Sequence, residues 1–344
     1  MKFFITMFFL SSPLIISNVN SHHSHAEYHG NEPIELIGKV IASSWSNPHV
    51  RLKLEVENLD ESISIWDLEF QDLISLNRKG FDNTLVNLGD NLRVYGTPSK
   101  RRTNVLSTSN VLLPNGMEVS VRGRTQPIWS DINRGFNRVS SEDVLNNLSD
   151  SSGHGLFRVW LPQAWSENEF TDLPLTEKAS LEQASYSSEI DPTMLCLAPG
   201  MPAAMRTTAV HPFSLKQEGD VIIIRGEISD IERTVNMSTN TQEEIKFSPL
   251  GYSTGSWEGD SLVIHTSNID WPYFDHIGTV RQSKMVNTLE KFTVGEDTNY
   301  MTYSITVSDP ETFTRPVTAV IPMIWRPDMT INPYECSLND NFIH

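Results

Sequence analysis

Four of the ten histidines, His22, His23, His25 and His29, fall within eight residues near the N-terminus. Cleavage ahead of His22 would leave a free α-amino group beside an imidazole, a pairing that chelates copper(II), since imidazole ligands suit late first-row metals. His23, His25 or the more distant His49 of Asn47-Pro48-His49 could complete such a site. It would need neutral imidazoles and so weaken below about pH 6. The opposing reading is a polar terminus whose histidines bind nothing.

Gly251-Tyr252-Ser253-Thr254-Gly255 matches the G-x-S-x-G pattern of serine hydrolases. That chemistry requires a strand, a sharp elbow and a helix. Here Trp257-Glu258-Gly259-Asp260 leads into the apolar run Leu262-Val263-Ile264, which predicts strand–turn–strand and a structural role for Ser253. Further on, Arg225, Glu227, Arg233, His265 and Glu290 interrupt apolar strands. A side chain that alternates into a barrel interior could serve a ligand, and His265 with Asp275 or Glu290 could form an acid/base pair. The expected pocket comprises Arg225, Arg233, Trp257, Tyr273 and Tyr303. The alternatives are solvent-facing side chains or a structural ion pair. Aromatic residues are dense in this half, where Trp257, Trp271, Tyr273, Phe274, Tyr300, Tyr303 and Trp325 would either line an apolar pocket or fill a core.

These residues need elements to position them. The chain has 344 residues, 38% hydrophobic, with 26 Lys+Arg against 43 Asp+Glu. The length predicts two domains, and the charge of -17 disfavours nucleic acid or anionic lipid as partner. Residues 1–21 read as a signal peptide: Lys2, an apolar stretch from Phe3 to Ile16, then Val19 and Ser21 at the cleavage positions. That stretch is shorter than the roughly 20 residues a membrane span needs, and no later segment approaches that length. A periplasmic or secreted protein is expected. In an oxidising compartment the sole cysteines, Cys196 and Cys336, are expected to form a disulfide.

After a His-rich segment at 22–33, period-two runs at 34–41, 49–56 and 64–70 predict strands. Asp72 can cap a short helix ending near Gly80, and further strands follow at 92–96 and 103–121. Three strands, a helix and two strands is the order of an OB-like barrel over 34–121. Residues 122–152 lack periodicity and read as a linker. Beyond 153 strand signals recur to the C-terminus, with a short helix near 175–186 and turns at Gly219, Gly259 and Gly295, predicting a larger antiparallel β-barrel or half-barrel. The fold class is all-β with minor helix.

Two resemblances follow. His22-His23-Ser24, Trp45-Ser46-Asn47-Pro48-His49 and Gly89-Asp90-Asn91-Leu92-Arg93-Val94-Tyr95-Gly96 resemble an uncharacterised family of exported bacterial domains over residues 22–121. Cys196-Leu197-Ala198-Pro199-Gly200-Met201-Pro202, Trp257-Glu258-Gly259-Asp260 and Tyr334-Glu335-Cys336 resemble a second uncharacterised domain that accompanies the first. Its pattern usually has an acidic residue where His265 stands and His or Met where Gln282 stands. Both resemblances imply export and a two-domain plan, and neither implies a reaction. The expected function is an exported cell-envelope binding protein whose second barrel holds a small, partly apolar ligand. The alternatives are an envelope enzyme, working through His265 and nearby carboxylates or an N-terminal copper site, and a structural or partner-binding protein.

Overall fold

The computed structural model describes residues 28, 32–100, 102–123, 125–136, 155–163, 173–186, 191–193, 195–205, 211–238, 245–337 and 342–343. The first barrel is built from β1 (Ile34–Ser44), β2 (Arg51–Glu57), β3 (Ile63–Glu69), helix α1 (Leu73–Arg78), β4 (Asn91–Pro98) and β5 (Val105–Leu112). They lie in the order β3-β2-β1-β4-β5, and a parallel β3–β5 pairing closes the ring. This is the expected OB-type arrangement.

Alternation explains its core. Leu52, Leu54 and Val56 of β2 point inward while Arg51, Lys53 and Glu55 face out. Gly38 and Gly96 sit where strands cross closely: a Cβ would collide with the Glu55 carbonyl in the first case and with the Ser107 carbonyl in the second. Gly96 also marks a register shift between β4 and β5, where the sheet bends to close. Asp72 caps α1 by accepting the Ser75 N–H at 2.8 Å.

The region read as a linker begins differently from the expectation. β6 (Glu118–Ser120) and β7 (Asn133–Arg134) extend the first sheet, so residues 125–136 pack on the barrel. The cause is Glu118, which is fully buried. Its carboxylate accepts the Asn110 side-chain amide at 2.7 Å and the backbone N–H groups of Ile128, Trp129 and Ser130 at 2.8, 2.8 and 3.0 Å. A carboxylate buried without such donors would be costly, so it folds the following loop around itself. Residues 137–150 lie outside the described ones.

The second barrel has nine strands among the described residues. They are β8 (Val159–Pro162), β9 (Phe213–Glu218), β10 (Val221–Gly226), β11 (Ile231–Asn236), β12 (Tyr252–Glu258), β13 (Ser261–Ser267), β14 (Asn287–Val294), β15 (Tyr300–Ser308) and β16 (Val317–Trp325). β8 and β9 bridge β16 to β10 and close the barrel. Every neighbouring pair is antiparallel except β11–β12, which is parallel. Helix α2 (Glu177–Ala184), capped by Thr176, lies outside the sheet sequence near its predicted position. Gly219 and Gly259 take positive φ in the two-residue-tight turns that join β9 to β10 and β12 to β13.

Among the described residues the largely apolar interior holds a buried ion pair. Arg233, 2% exposed, donates to Glu290 at 3.0 and 2.5 Å, to the Ser253 hydroxyl at 3.0 Å and to the Thr266 hydroxyl at 2.6 Å. The Tyr303 hydroxyl donates to Glu290 at 2.8 Å, and its ring stacks on Phe292 at 4.6 Å. A buried ion pair adds little over apolar packing, but breaking it leaves an uncompensated charge. Glu290→Ala is therefore expected to cost about 3–5 kcal/mol in urea denaturation, and adding Arg233→Met to it to recover part of that loss. A double variant no more stable than the single one would contradict this reading.

Candidate functional site

The two barrels meet at a buried charge cluster. His211 lies just before β9 and is 3% exposed. Its Nδ1 is 3.0 Å from Glu227 of the second barrel, and its Nε2 is 3.4 Å from Asp72, the cap of α1 in the first. With a carboxylate at each ring nitrogen, both nitrogens carry protons and the ring is an imidazolium. Burial alone would lower its pKa, but the hydrogen bonds and charges of Asp72 and Glu227 outweigh that and raise it to about 9. The same contacts reach the partners. Burial pushes the Asp72 carboxyl up, His211 overcomes this, and it settles at about 2. Arg78 from α1 also pairs with Glu227, which further accepts the Asn332 backbone N–H at 3.1 Å. Tyr334 packs edge-on against the His211 ring at 5.9 Å.

Above this cluster a recess of about 560 Å³ opens between the barrels. One wall carries Trp45, Asn47 and Asn77 from the first barrel, and the other carries Asn332, Tyr334 and Glu335 from the C-terminal segment. Asn47 latches the walls together: its side-chain amide donates to the Tyr334 carbonyl and accepts the Leu73 N–H at 2.9 Å. The expected Cys196–Cys336 disulfide is present and ties the C-terminal segment to a loop of the second barrel. The Trp45 indole N–H is buried without a hydrogen-bond partner among the described residues.

The residues anticipated from sequence are dispersed. His265 is exposed on the outer face of β13, because alternation sends Leu262, Ile264 and Thr266 inward. Glu290 points into the barrel and Asp275 lies in a loop. Asp275 accepts three backbone N–H groups, from Ile277, Thr279 and Val280, and the Thr279 hydroxyl. Burial works against its charge, but these bonds keep its carboxyl below the ordinary range. The acid/base trio is thus not assembled: His265 and Glu290 stand on opposite faces of the sheet.

The five pocket residues also divide. Arg233 and Tyr303 face the interior and are engaged with Glu290. Arg225 is on the outside, paired with Glu232, and Trp257 is 46% exposed with its ring edge-on to Phe157. Tyr273 is half-buried in a loop against Trp271 and Arg281. Ser253 is buried within β12 and hydrogen-bonded to Arg233 and Thr266, which rules out a nucleophile elbow. His22, His23, His25 and His29 lie outside the described residues.

His49 sits at the first barrel with Nδ1 3.1 Å from the Phe70 carbonyl. Burial, with the Arg122 charge nearby, lowers its pKa to about 4. Next to Phe70, Glu69 accepts the Tyr28 hydroxyl at 2.6 Å and Arg102 at 2.6 Å. Burial raises the Glu69 carboxyl, and the Arg102 bonds reverse that to about 2.

A family of unknown function, DUF6152, matches residues 14–107, which run from the N-terminal apolar stretch into β5. That match supports an uncharacterised domain family for the first barrel. No curated protein matches the chain.

His211 and Arg78 were not anticipated. Each is unremarkable in its own stretch, and they meet their partners across 139 residues for Asp72 (211 less 72) and 149 for Arg78 with Glu227. No local periodicity carries such a pairing. The cluster has a pH signature. A base whose pKa rises from 6.5 to about 9 on folding stabilises fully below pH 6.5 and loses that contribution as pH rises through 9. At 1.36 kcal/mol per unit this amounts to about 3 kcal/mol, counted once because the Asp72 shift reports the same contact. Urea denaturation should show stability falling by that order between pH 6.5 and 9.5, and His211→Gln should flatten the fall. An unchanged slope in the variant would refute the assignment.

Proposed function

We propose that the chain is an exported binding protein of the cell envelope and that the recess between its barrels, rather than the interior of the second, receives a small ligand. The recess carries this reading: about 560 Å³ is within the usual 300–1,000 Å³ range of small-molecule sites. Its walls combine the half-buried Trp45 side chain with the amides of Asn77 and Asn332. Export is supported by the residues of the 1–21 stretch and by the Cys196–Cys336 bridge, a bond that persists in oxidising compartments. Among the described residues no helix is long and apolar enough to cross a membrane. The likeness of residues 193–337 to a domain that accompanies such first barrels supports treating the pair as one working unit.

Native mass spectrometry of protein purified from its own envelope tests this. The mature chain should begin at His22 and retain a small molecule that Asn77→Trp, which fills the recess, displaces. A retained mass that survives Asn77→Trp and is lost in Arg233→Met would return the ligand to the barrel interior.

A second reading, a copper site at the N-terminus, is favoured by His49. A carbonyl oxygen only accepts, so the Nδ1 facing Phe70 carries the proton and Nε2 keeps its lone pair. Metal-binding histidines are commonly oriented by such a bond. Tyr28 anchors the chain at Glu69, six residues beyond His22. The Glu69 carboxylate favours a cation there, and the Arg122 guanidinium opposes it. His22, His23, His25 and His49 are the residues that would hold copper. Copper titration of the mature protein should weaken at least tenfold in both His49→Gln and the His22→Ala/His23→Ala double variant. Equal affinity in all three proteins would end this reading.

A further inference from the structure

The chemistry of the recess narrows what it selects. Its one cationic side chain, Arg78, is paired with Glu227, which is itself held by His211 and Asn332. An anion would therefore have to compete with a buried carboxylate for that guanidinium. It would also approach the exposed Glu335 carboxylate on a chain of net charge -17. An anionic ligand is disfavoured on both counts. A wholly apolar ligand fits poorly as well, because the walls present neutral amides, Asn77 without a side-chain hydrogen bond among the described residues and Asn332 held only by long ones.

Those groups are specific. The Trp45 indole N–H has no acceptor within the described residues. The Asn77 side chain is exposed at the end of α1 and makes no hydrogen bond among them. The Asn332 side chain makes only long hydrogen bonds: its nitrogen donates to Glu227 at 3.3 Å and to the Thr330 carbonyl at 3.5 Å, and its oxygen accepts the Thr330 hydroxyl at 3.4 Å. The indole nitrogen is buried, so the two amides supply the donors and acceptors without charge, the set that matches hydroxyl groups, each of which both donates and accepts. The half-buried indole face of Trp45 lies beside them. An aromatic face is electron-rich and attracts the weakly positive C–H face of a sugar ring.

We infer that the recess binds a neutral, hydroxyl-rich ligand of the saccharide class, with Trp45 as the stacking surface and Asn77 and Asn332 as the hydroxyl readers. This rests on the recess being the binding site. Isothermal titration of the disulfide-intact mature chain can separate the two statements. The probes are maltotriose, cellotriose and chitotriose as neutral sugars, trigalacturonate as an acidic one, and N-phenyl-1-naphthylamine as an apolar one.

At least one neutral trisaccharide should bind saturably while trigalacturonate and the naphthylamine do not. Trp45→Ala, which removes the stacking face, should weaken that binding about five- to tenfold. Asn77→Ala, at an exposed helical position where alanine is well tolerated, should weaken it by a similar factor with an unchanged unfolding midpoint. Asn77→Trp should abolish it. Failure of all three neutral sugars to bind overturns the saccharide inference. So does saturable binding of the acidic or apolar probe that Asn77→Trp abolishes, although that outcome upholds the recess as the site. Sugar binding that survives Asn77→Trp overturns both.

Discussion

His211 is an imidazolium held out of water between two carboxylates that belong to different barrels. Asp72 also caps α1 of its own barrel, while Glu227 takes Arg78 of α1 across the interface and the Asn332 backbone N–H from its own side. The separate parts are costly to bury. A lone buried imidazolium would lose its proton, and two facing carboxylates would repel or protonate. Together they form a neutralised set that exists only when the barrels are in register. The geometry of the interface is therefore specified by charge pairing, while each barrel supplies its own apolar core. The recess inherits its shape from this cluster, since α1 forms one wall and the segment after Asn332 the other.

The interior of the second barrel follows a different constraint. Nine strands enclose more volume than aliphatic side chains from short strands fill evenly, and here Trp160, Phe213, Phe292 and Tyr303 occupy it together with the Arg233–Glu290 pair. The polar residues that interrupt these strands are thereby sorted by parity alone. Arg233 shares the inward parity of Ile231 and Val235, and Arg225 shares the outward parity that pairs it with Glu232. An ion pair placed mid-barrel fixes which strand faces which, because a slip of one residue would expel one charge and strand the other.

Legibility in the sequence divides along the same line between local and long-range order. The runs beginning at Ile34, Val50 and Ser64 showed their strands because alternation is local, and Asp72 announced α1 because capping is local. β9 carries little local signal: Phe213-Ser214-Leu215-Lys216-Gln217-Glu218 has only two apolar residues, and the strand pairs on both sides with β8 and β10. β7 was hidden for the same reason, since its fold depends on Glu118 gathering three backbone N–H groups from a loop with no pattern of its own. The disulfide could be inferred because two cysteines allow one pairing. The interface could not, because Asp72, His211 and Glu227 are each ordinary where they stand and become a unit only through the docking of two folded bodies.

That dependence bears on how selectivity is distributed. The family match at residues 14–107 includes Trp45, Asn47, Asn77 and Arg78, which is one wall of the recess. The opposite wall, residues 332–335, is carried by the second barrel's C-terminal segment, which is held by the Asn332–Glu227 and Asn47–Tyr334 bonds and by further tethers. Cys336 is bonded to Cys196, the Tyr334 N–H donates to Asp230 at 2.8 Å, and the Ser337 N–H donates to the Asn47 carbonyl at 3.2 Å. On the proposed reading, the first barrel with Trp45 and the helix-borne Asn77 is half a site. The second barrel places the facing Asn332 amide and Glu335 carboxylate, so a change at either is expected to alter ligand preference with both cores left intact. The second barrel is in this sense a wall as much as a domain, its interior filled by packed side chains and the Arg233–Glu290 pair.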